Sequence, residues 1–208
     1  MDHELQLCHV PNTSRLTELL IPGCDVILTP ASNPQRKTRY TLIHMDKAGQ
    51  WINIDSQAPN TIVSEALLAQ PELIGLAADP GSIRWRREYS YLHSRFDLSY
   101  LDGETQGLIE IKGVTLEENK IAMFPGAPTE RGRKHLRELA GSIAAGYRAH
   151  LILCVQIPYA EEVRIARHID AAFGIAYDEA KVAGVEIHAF RCQIAPDEVI
   201  LGERIPFE

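Results

Sequence analysis

The stretch RFDLSYLDGETQGLIEIKGVTL, residues 95–116, contains two apolar segments joined by the polar turn DGETQG. In the second segment Glu110 and Lys112 alternate with isoleucines, the period of two that is typical of a β-strand. The first segment alternates as well, and Asp97 falls on the opposite face from its apolar neighbours. Those neighbours, which we expect to face inward, are Phe96, Leu98 and Tyr100. The pattern predicts an antiparallel pair that places Asp97 and Glu110 side by side.

Two adjacent carboxylates indicate a site for a divalent cation, because a bound cation relieves their mutual repulsion. Mg²⁺ takes oxygen ligands, usually one or two carboxylates, and the carbonyl of Ile111 is a further candidate. Lys112 lies about 6.5–7 Å from Glu110 along the strand, on the same face. There it can orient a water or offset charge on a phosphate. We therefore predict that Asp97 and Glu110 bind Mg²⁺ or Mn²⁺ and that Lys112 is catalytic. The alternative is an ordinary solvated face that carries an opposite-charge pair.

The composition is that of an ordinary globular protein, with 45% hydrophobic and 24% charged residues among 208. No apolar run is long enough to suggest a membrane span, and the first residues lack the pattern of a secretory signal. The four cysteines are widely spaced, which favours reduced thiols and a cytoplasmic location. The eight histidines have no HxH or HExxH spacing, so the sequence does not predict a zinc enzyme.

The formal net charge of −7 is not that of a strong DNA-binding protein. Basic residues are nevertheless clustered in three segments, PQRKTRY, IRWRREYSYLHSR and TERGRKHLREL. Any nucleic acid would be held by such clusters rather than by the molecule as a whole. The residues predicted to contact DNA are Arg36, Lys37, Arg39, Arg131, Arg133 and Lys134. The alternative is that all three clusters are ordinary solvated faces.

Turn residues and hydrophobic periodicity divide the chain into two parts. Residues 1–58 contain short β-like segments punctuated by Pro, Gly and Asn, which suggests a small barrel or meander. Residues 59–208 are predicted to contain a helix, antiparallel strands, and then alternating helices and strands, a mixed α/β arrangement. We expect Asn60 to cap the first helix, Thr129 to cap the second, and Gly184 to end the third.

An aspartate followed further along by Glu-x-Lys inside an apolar strand resembles the PD-(D/E)xK nuclease superfamily. Taken alone this motif is weak, since Glu-x-Lys occurs often. A helix that carries an acid precedes both parts of the motif, and Glu65 in SEALL is that acid. In the nuclease-like core such a glutamate can complete the metal site, so the resemblance makes Glu65 a candidate metal ligand.

A more specific resemblance extends over almost the whole chain. The segments HVPNTS, PQRKTRYTL, NTIVSEALL, SRFDLSYL, EIKGVTL, FPGAPTERGRKHLREL and ARHID, in this order, resemble the sugar fermentation stimulation protein family. The resemblance implies an OB-fold-like N-terminal β-barrel followed by a PD-(D/E)xK nuclease-like α/β domain. It also implies non-specific DNA binding and a link to the control of sugar catabolism, including maltose genes.

The chain departs from the family pattern at three places. Only MDHELQLC precedes HVPNTS, so we expect the barrel to lack the family's opening strand or to borrow a strand from a partner, as in a homodimer. The family's PNTG is PNTS here, and its FPDA is FPGA. The missing acid in FPGA puts a family-like loop beside the metal in doubt.

Three functions remain open at this stage. The first is a DNA-binding protein that hydrolyses phosphodiester bonds with a divalent metal ion. The second is a non-catalytic, non-specific DNA-binding regulator of transcription that keeps the nuclease-like scaffold. The third is a protein-interaction module that binds no nucleic acid, in keeping with the net charge of −7.

Overall fold

The structure is a computed structural model that describes residues 5–12, 14, 16–33, 35–76 and 79–208. Its N-terminal sheet is built around one central strand, which pairs with a parallel neighbour and two antiparallel ones. The strands are β1 (Cys8–His9), β2 (Val26–Pro30), β3 (Tyr40–Lys47) and β4 (Gln50–Asn53), with β3 at the centre. Within the described part of the chain these pairings form an open sheet and not a closed barrel.

The main sheet has six strands in the order β13-β12-β10-β7-β6-β5. Its strands are β5 (Arg84–Tyr91), β6 (Ser94–Asp102), β7 (Thr105–Val114), β10 (Tyr147–Val155), β12 (Glu186–Ala195) and β13 (Glu198–Arg204). A smaller sheet contains β8 (Leu116–Glu118), β9 (Ile121–Phe124) and β11 (Glu162–Ile165). The helices are α1 (Ala58–Ala69), α2 (Glu130–Ala144) and α3 (Ala171–Ala183). The predicted mixed α/β class is confirmed.

Helices cover both faces of the main sheet. The apolar residues of α1 pack on one face, and those of α2 and α3 pack on the other, which makes the middle strands buried on both sides. In β7 the isoleucines Ile109 and Ile111 face α1, as the alternation predicts. Glu110 faces the opposite side and is only 2% exposed, so the interpretation of a solvated face is wrong.

Two of the three predicted helix boundaries are confirmed. The Thr129 side chain accepts a hydrogen bond from the amide of Gly132 and caps α2, and Gly184 ends α3 with a left-handed backbone. The third prediction is wrong, because α1 begins at Ala58 and Asn60 lies inside it. This difference frees the Asn60 side chain for another contact.

The N-terminal sheet packs against the rest of the chain through one continuous apolar core. Leu42 and Ile52 of that sheet belong to the same buried cluster as Leu139 of α2. Polar contacts join the two parts as well, including an ion pair of 2.6 Å between Lys47 and Glu117. Asp170 performs the same task for the two helices on one face: it caps α3 through the amide of Phe173 and accepts the amide of Thr129, at 2.9 Å each.

Candidate active site and the family of the chain

The site begins where β6 separates from β7. Their antiparallel ladder ends at the pair Leu98 and Ile109. The amide of Ile111, the next one on β7 that points toward β6, therefore has no main-chain partner there. The Asp97 carboxylate takes that place: its Oδ2 accepts the amide of Ile111 at 2.7 Å. Its Oδ1 accepts a hydrogen bond of 2.7 Å from the Asn60 side chain on α1. Asp97 is thus held by a neighbouring strand and by a helix.

The same separation overturns one prediction about β6. Leu98 and Tyr100 pack on the α1 side, but Phe96 belongs to the core on the α2 side and lies with its ring edge toward His135. The predicted common inward face of these three residues is therefore wrong. Because the strand no longer follows β7 beyond Leu98, side chains on either side of Asp97 are free to reach opposite cores.

Glu110 lies in the middle of β7, and its two carboxylate oxygens have different surroundings. Its Oε1 accepts a hydrogen bond from the ring nitrogen Nδ1 of His135 at 2.5 Å and another from the Lys112 ammonium. Its Oε2 is buried and has no hydrogen-bond partner within the described residues. An unpartnered oxygen on a buried carboxylate is costly, so this atom has capacity for a further positively charged ligand.

The two carboxylates influence each other electrostatically. Burial and then the charge of Glu110 raise the pKa of Asp97 above its ordinary value, although the hydrogen bond from Ile111 and the charge of Lys112 act the other way. Burial alone would also raise the pKa of Glu110. The hydrogen bond from His135 and the charge of Lys112 outweigh it, and the pKa of Glu110 is lowered. Glu110 is therefore ionised near neutral pH.

The structure thus brings together Asp97, Glu110, Ile111 and Lys112, as predicted, but leaves Glu65 apart. Glu65 is an exposed residue of α1. It follows Asn60 by five positions, which rotates it roughly 140° around a helix with 3.6 residues per turn. Among the described side chains, no hydrogen bond or ion pair joins it to Asp97. Glu65 as a metal ligand is not supported by this placement.

Two site residues had weaker signals in the sequence. Asn60 looked like a helix cap, and only the early start of α1 reveals that it contacts Asp97. His135 could be expected near Glu110 because it lies on α2, an amphipathic helix that follows β7 in the chain. Its contact with Glu110 depends on how α2 crosses β7, which no local pattern encodes.

Two clefts lie beside these residues. One, of about 360 Å³, is bordered by loop residues of the N-terminal part, by β7 and by the start of α2, and its polar lining includes Ser14, Ser56, Lys112, Arg131 and Gln156. The other, of about 370 Å³, is lined by His93, Arg95, Glu130, Arg131, Lys134 and His135 among others. Arg131 borders both clefts, and Lys112 and His135 connect each cleft to Glu110. The surroundings of the buried acid are therefore mostly basic.

The predicted DNA-contacting residues have different surroundings. Lys37, Arg39 and Arg131 are exposed. Arg36 instead donates to Thr38 and Thr41 of its own hairpin, at 2.9 and 3.0 Å.

In the basic segment on α2, Nη1 of Arg133 donates to both carboxylate oxygens of the buried Asp170, at 2.8 and 3.1 Å. Its guanidinium therefore serves the fold, which argues against the predicted role in DNA binding. Lys134 is half exposed, donates to the carbonyl of His93 and lies 3.8 Å from Glu138.

Asn12 and Ser14 of the segment HVPNTS border the first cleft. Asn12 donates to the carbonyl of Ile54 at 2.8 Å and accepts the amide of Ser14 at 2.7 Å, while Thr13 lies outside the described residues. The segment FPGA also lines this cleft. Both departures from the family pattern therefore face the region next to the candidate site.

Comparison with known protein families matches both parts of the chain. A family profile described as the SfsA N-terminal OB domain matches residues 1–54, and one described as the sugar fermentation stimulation protein RE domain matches residues 57–198.

The chain belongs to the sugar fermentation stimulation protein (SfsA) family.

Curated SfsA relatives are similar along nearly the whole chain. A sugar fermentation stimulation protein homolog of Desulfitobacterium hafniense strain Y51 is 40% identical over 98% of this chain and 86% of its own length. That of Clostridium perfringens strain 13 is 42% identical over 97% and 86%. Pyrococcus furiosus SfsA, solved in complex with Ca²⁺, is 27% identical and covers 100% of this chain and 88% of its own, with a TM-score of 0.86. The described residues contain no helix that is long and apolar enough to cross a membrane.

Proposed function

We propose that this SfsA protein binds DNA and hydrolyses its phosphodiester bonds with a divalent metal ion held by Asp97, Glu110 and the carbonyl of Ile111. The observation that carries the proposal is the convergence of two carboxylates on neighbouring strands, with Glu110 Oε2 buried and without a partner in the described part of the chain. A lysine two positions along the strand completes the resemblance to a nuclease-like site.

The donor atoms fit a hard cation. Asp97 and Glu110 offer carboxylate oxygens, and the charge of Glu110 already raises the pKa of Asp97, a repulsion that a cation would relieve. Within a strand the N–H and C=O of one residue point the same way, and the amide of Ile111 points at Asp97. Its carbonyl is therefore directed to the same side. The structure of Pyrococcus furiosus SfsA in complex with Ca²⁺ supports the proposal that this chain also binds a divalent cation.

Mg²⁺ or Mn²⁺ bound there would lower the pKa of a bound water and polarise the phosphoryl group. The protein residues position the reacting groups. His135 donates to Glu110 Oε1 and so orients the carboxylate. Lys112, which borders the first cleft, carries an ammonium that can orient the attacking water or stabilise charge that develops on the phosphate.

The basic residues around the two clefts are suited to the DNA backbone. Arg131 borders both clefts, and Arg95 and Lys134 line the second. Phosphate contacts of this kind supply affinity without reading the sequence. Lys37 and Arg39 on the N-terminal sheet are exposed and would extend the basic surface.

A specific observation also favours the second candidate function, a non-catalytic DNA-binding regulator of sugar catabolism genes. Glu110 Oε1 is already paired with the Lys112 ammonium and hydrogen-bonded to the His135 ring, so the protein itself compensates part of the negative charge of the site. In such a regulator the acids would be a structural feature, and DNA binding would not require a metal.

Cleavage assays with matched variants test the catalytic proposal. Purified protein is incubated with single- and double-stranded DNA in Mg²⁺ or Mn²⁺, beside Asp97→Asn and Lys112→Met. We expect the rate to fall roughly 10²–10³-fold in Lys112→Met, the usual effect of removing a charge-stabilising group, and at least as much in Asp97→Asn. The exposed residues changed in Asp197→Asn and Lys181→Met serve as controls. Turnover that persists at the wild-type rate in both site variants would exclude the mechanism.

DNA binding is measured separately, without metal and over a range of salt concentrations. Each phosphate contact contributes about −0.9 to the slope of log K against log salt, so Arg131→Gln is expected to reduce the slope by about 1. Lys181→Gln on α3 is the control and should leave the slope unchanged. Retention that is metal-independent together with an absence of cleavage would favour the regulator over the nuclease.

A further inference from the structure

A second cluster of potential metal ligands lies on the opposite face of the main sheet. In the parallel register of β10 and β12, His150 is opposite Glu186, and His188 follows two residues later. The nitrogen Nδ1 of His150 lies 3.2 Å from Nε2 of His188 and 3.9 Å from Oε2 of Glu186. One ligand atom from each of the three residues fits within 4.8 Å of the others.

These separations suit an ion with four ligands. Zn²⁺ binds histidine nitrogen at about 2.0–2.1 Å, so two ligand nitrogens of a tetrahedral ion lie roughly 3.3 Å apart. The nitrogens of His150 and His188 are 3.2 Å apart before any ion is added. Two imidazoles and one carboxylate form a donor set that suits Zn²⁺ and similar transition metals better than Mg²⁺.

The surroundings of His150 favour the tautomer that binds metal through Nδ1. The Tyr100 hydroxyl lies 2.9 Å from the other ring nitrogen, Nε2, where its oxygen can accept a hydrogen bond from the Nε2–H. Histidine ligands usually donate their second ring N–H to such a partner, which orients the ring. Burial lowers the pKa of His150 to about 3 and that of His188 to about 4, so both rings are neutral near pH 7.

Glu186 supplies the carboxylate ligand and lies on the side of the cluster that is open to solvent. The Arg148 guanidinium donates to both of its oxygens at 2.8 Å, but a carboxylate has about four lone-pair sites and keeps capacity for another ligand. The Glu186 side chain is 38% exposed, whereas His150 is fully buried. An ion could enter from the Glu186 side and keep a water as its fourth ligand.

We propose that His150, Glu186 and His188 form a binding site for a transition-metal ion of the Zn²⁺ class, separate from the Asp97–Glu110 site. The register places Glu110 beside Leu151, one residue along from His150 and therefore on the other face of the sheet. The competing arrangement is a simple hydrogen bond between the two imidazoles. His188 Nδ1 has no hydrogen-bond partner among the described residues in either arrangement, so the Zn²⁺ titration is what distinguishes them.

The test uses the full chain, stripped of metal and titrated with Zn²⁺ against a chromogenic chelator. The background is the double variant Asp97→Asn and Glu110→Gln, which removes the carboxylate charges of the first site. We expect one equivalent of Zn²⁺ to bind. Removing a partner of a metal ligand already costs about 10–100-fold in affinity, and removing a ligand in Glu186→Gln or His188→Gln should cost at least as much.

Two features keep the test decisive. His168→Gln changes an exposed histidine and should leave Zn²⁺ affinity unchanged. Glu186→Gln alters a half-exposed side chain, so it should fold even if His188→Gln does not, and circular dichroism checks both. Absence of Zn²⁺ binding in the double variant, or binding that is unchanged in Glu186→Gln, would overturn the proposal. Co²⁺ in place of Zn²⁺ should give the visible absorption of a four-coordinate ion, and a six-coordinate spectrum would also contradict it.

Discussion

At the scale of single residues, Glu110 combines a structural contact and a chemical capacity in one carboxylate. Oε1 is held by His135 and Lys112, and Oε2 is buried with no hydrogen-bond partner among the described residues. The first oxygen orients the group and the second stays available. The contacts of Oε1 explain how an acid can be tolerated in the middle of a strand that is covered on both faces.

Asn60 is expected to position Asp97 for metal binding. In Asn60→Ala the Asp97 carboxylate loses its hydrogen bond of 2.7 Å from α1, so its orientation toward Glu110 is no longer fixed. We predict that Mn²⁺ affinity falls by about 10–100-fold, as for other groups that orient a metal ligand, while the fold is retained. Isothermal titration with Mn²⁺ measures the effect. Gln70→Ala, at the other end of the helix, is the control, and equal affinities in both variants would contradict the role.

Replacing glycine with alanine should have opposite effects on stability at Gly113 and Gly141. A Cβ on Gly113 would lie 2.6 Å from Gln156 Oε1 and 2.8 Å from Pro59 Cγ, and Gln156 is fully buried and tied by hydrogen bonds. Gly113→Ala should destabilise the protein by about 1–3 kcal/mol.

A Cβ on Gly141 of α2 meets nothing within 4 Å, so Gly141→Ala should stabilise the protein by about 0.5–1 kcal/mol. Urea denaturation of both variants checks the signs, and a stabilising Gly113→Ala would contradict the packing argument.

At the scale of elements, the candidate site depends on where a ladder ends. β6 follows β7 as far as Leu98, and beyond it the carboxylate of Asp97 replaces a main-chain partner for Ile111. The separation places Phe96 and Leu98 in different cores. A site that needs a free strand amide and a carboxylate together is thus produced by the geometry of two strands rather than by either strand alone.

Asp170 joins two helices, and its contribution to stability should depend on pH. Burial raises the pKa of Asp170, but the amides of Thr129 and Phe173 and the charge of Arg133 outweigh it, so the folded pKa is below the ordinary 3.8. The stabilisation is therefore present above about pH 5 and is lost as the pH falls through the folded pKa. We predict that Asp170→Asn lowers the free energy of unfolding by about 2–3 kcal/mol at pH 7.

The difference between wild type and Asp170→Asn should shrink below pH 3.8, the ordinary pKa of the group. Urea denaturation between pH 3 and pH 8 measures this. Asp178→Asn is the matched control, because Asp178 also lies on α3 but forms an exposed ion pair with Arg167. Its effect should be much smaller. A pH-independent difference for Asp170→Asn would show that its charge is not the stabilising feature.

At the scale of the whole molecule, the N-terminal sheet shares its core with the rest of the chain. Leu42, Met45 and Ile52 lie in the same apolar cluster as residues of α2 and β10, and Gln156 donates to Asn53 and to the carbonyl of Asp55 across the boundary. The predicted boundary at residue 58 therefore separates two parts of the chain that differ in topology but share one packed core.

This shared core predicts a single cooperative unfolding transition. The chain has two tryptophans, Trp51 on β4 and Trp85 on β5. In Trp85→Phe the remaining fluorescence reports on the N-terminal sheet, and in Trp51→Phe it reports on the main sheet. Within each variant, fluorescence and far-ultraviolet circular dichroism should have the same urea midpoint. Separate midpoints in Trp85→Phe would mean that the N-terminal sheet unfolds independently.

The sequence by itself determined the features that depend on near neighbours. Alternation in LIEIK predicted which face of β7 carries Glu110 and Lys112, Thr129 and Gly184 were recognisable as helix ends, and the order of segments indicated a mixed α/β fold. These features follow from periodicity and local backbone preference, which short stretches of chain express on their own.

Only the tertiary structure decided which distant groups meet. Asn60 donates to Asp97, Arg133 forms an ion pair with Asp170, and His150 contacts His188, which is 38 positions later in the chain. Each contact depends on strand register, on the crossing of a helix over the sheet, or on the point where a ladder ends. Those quantities are set by the packing of the whole core, so no local pattern of residues specifies them.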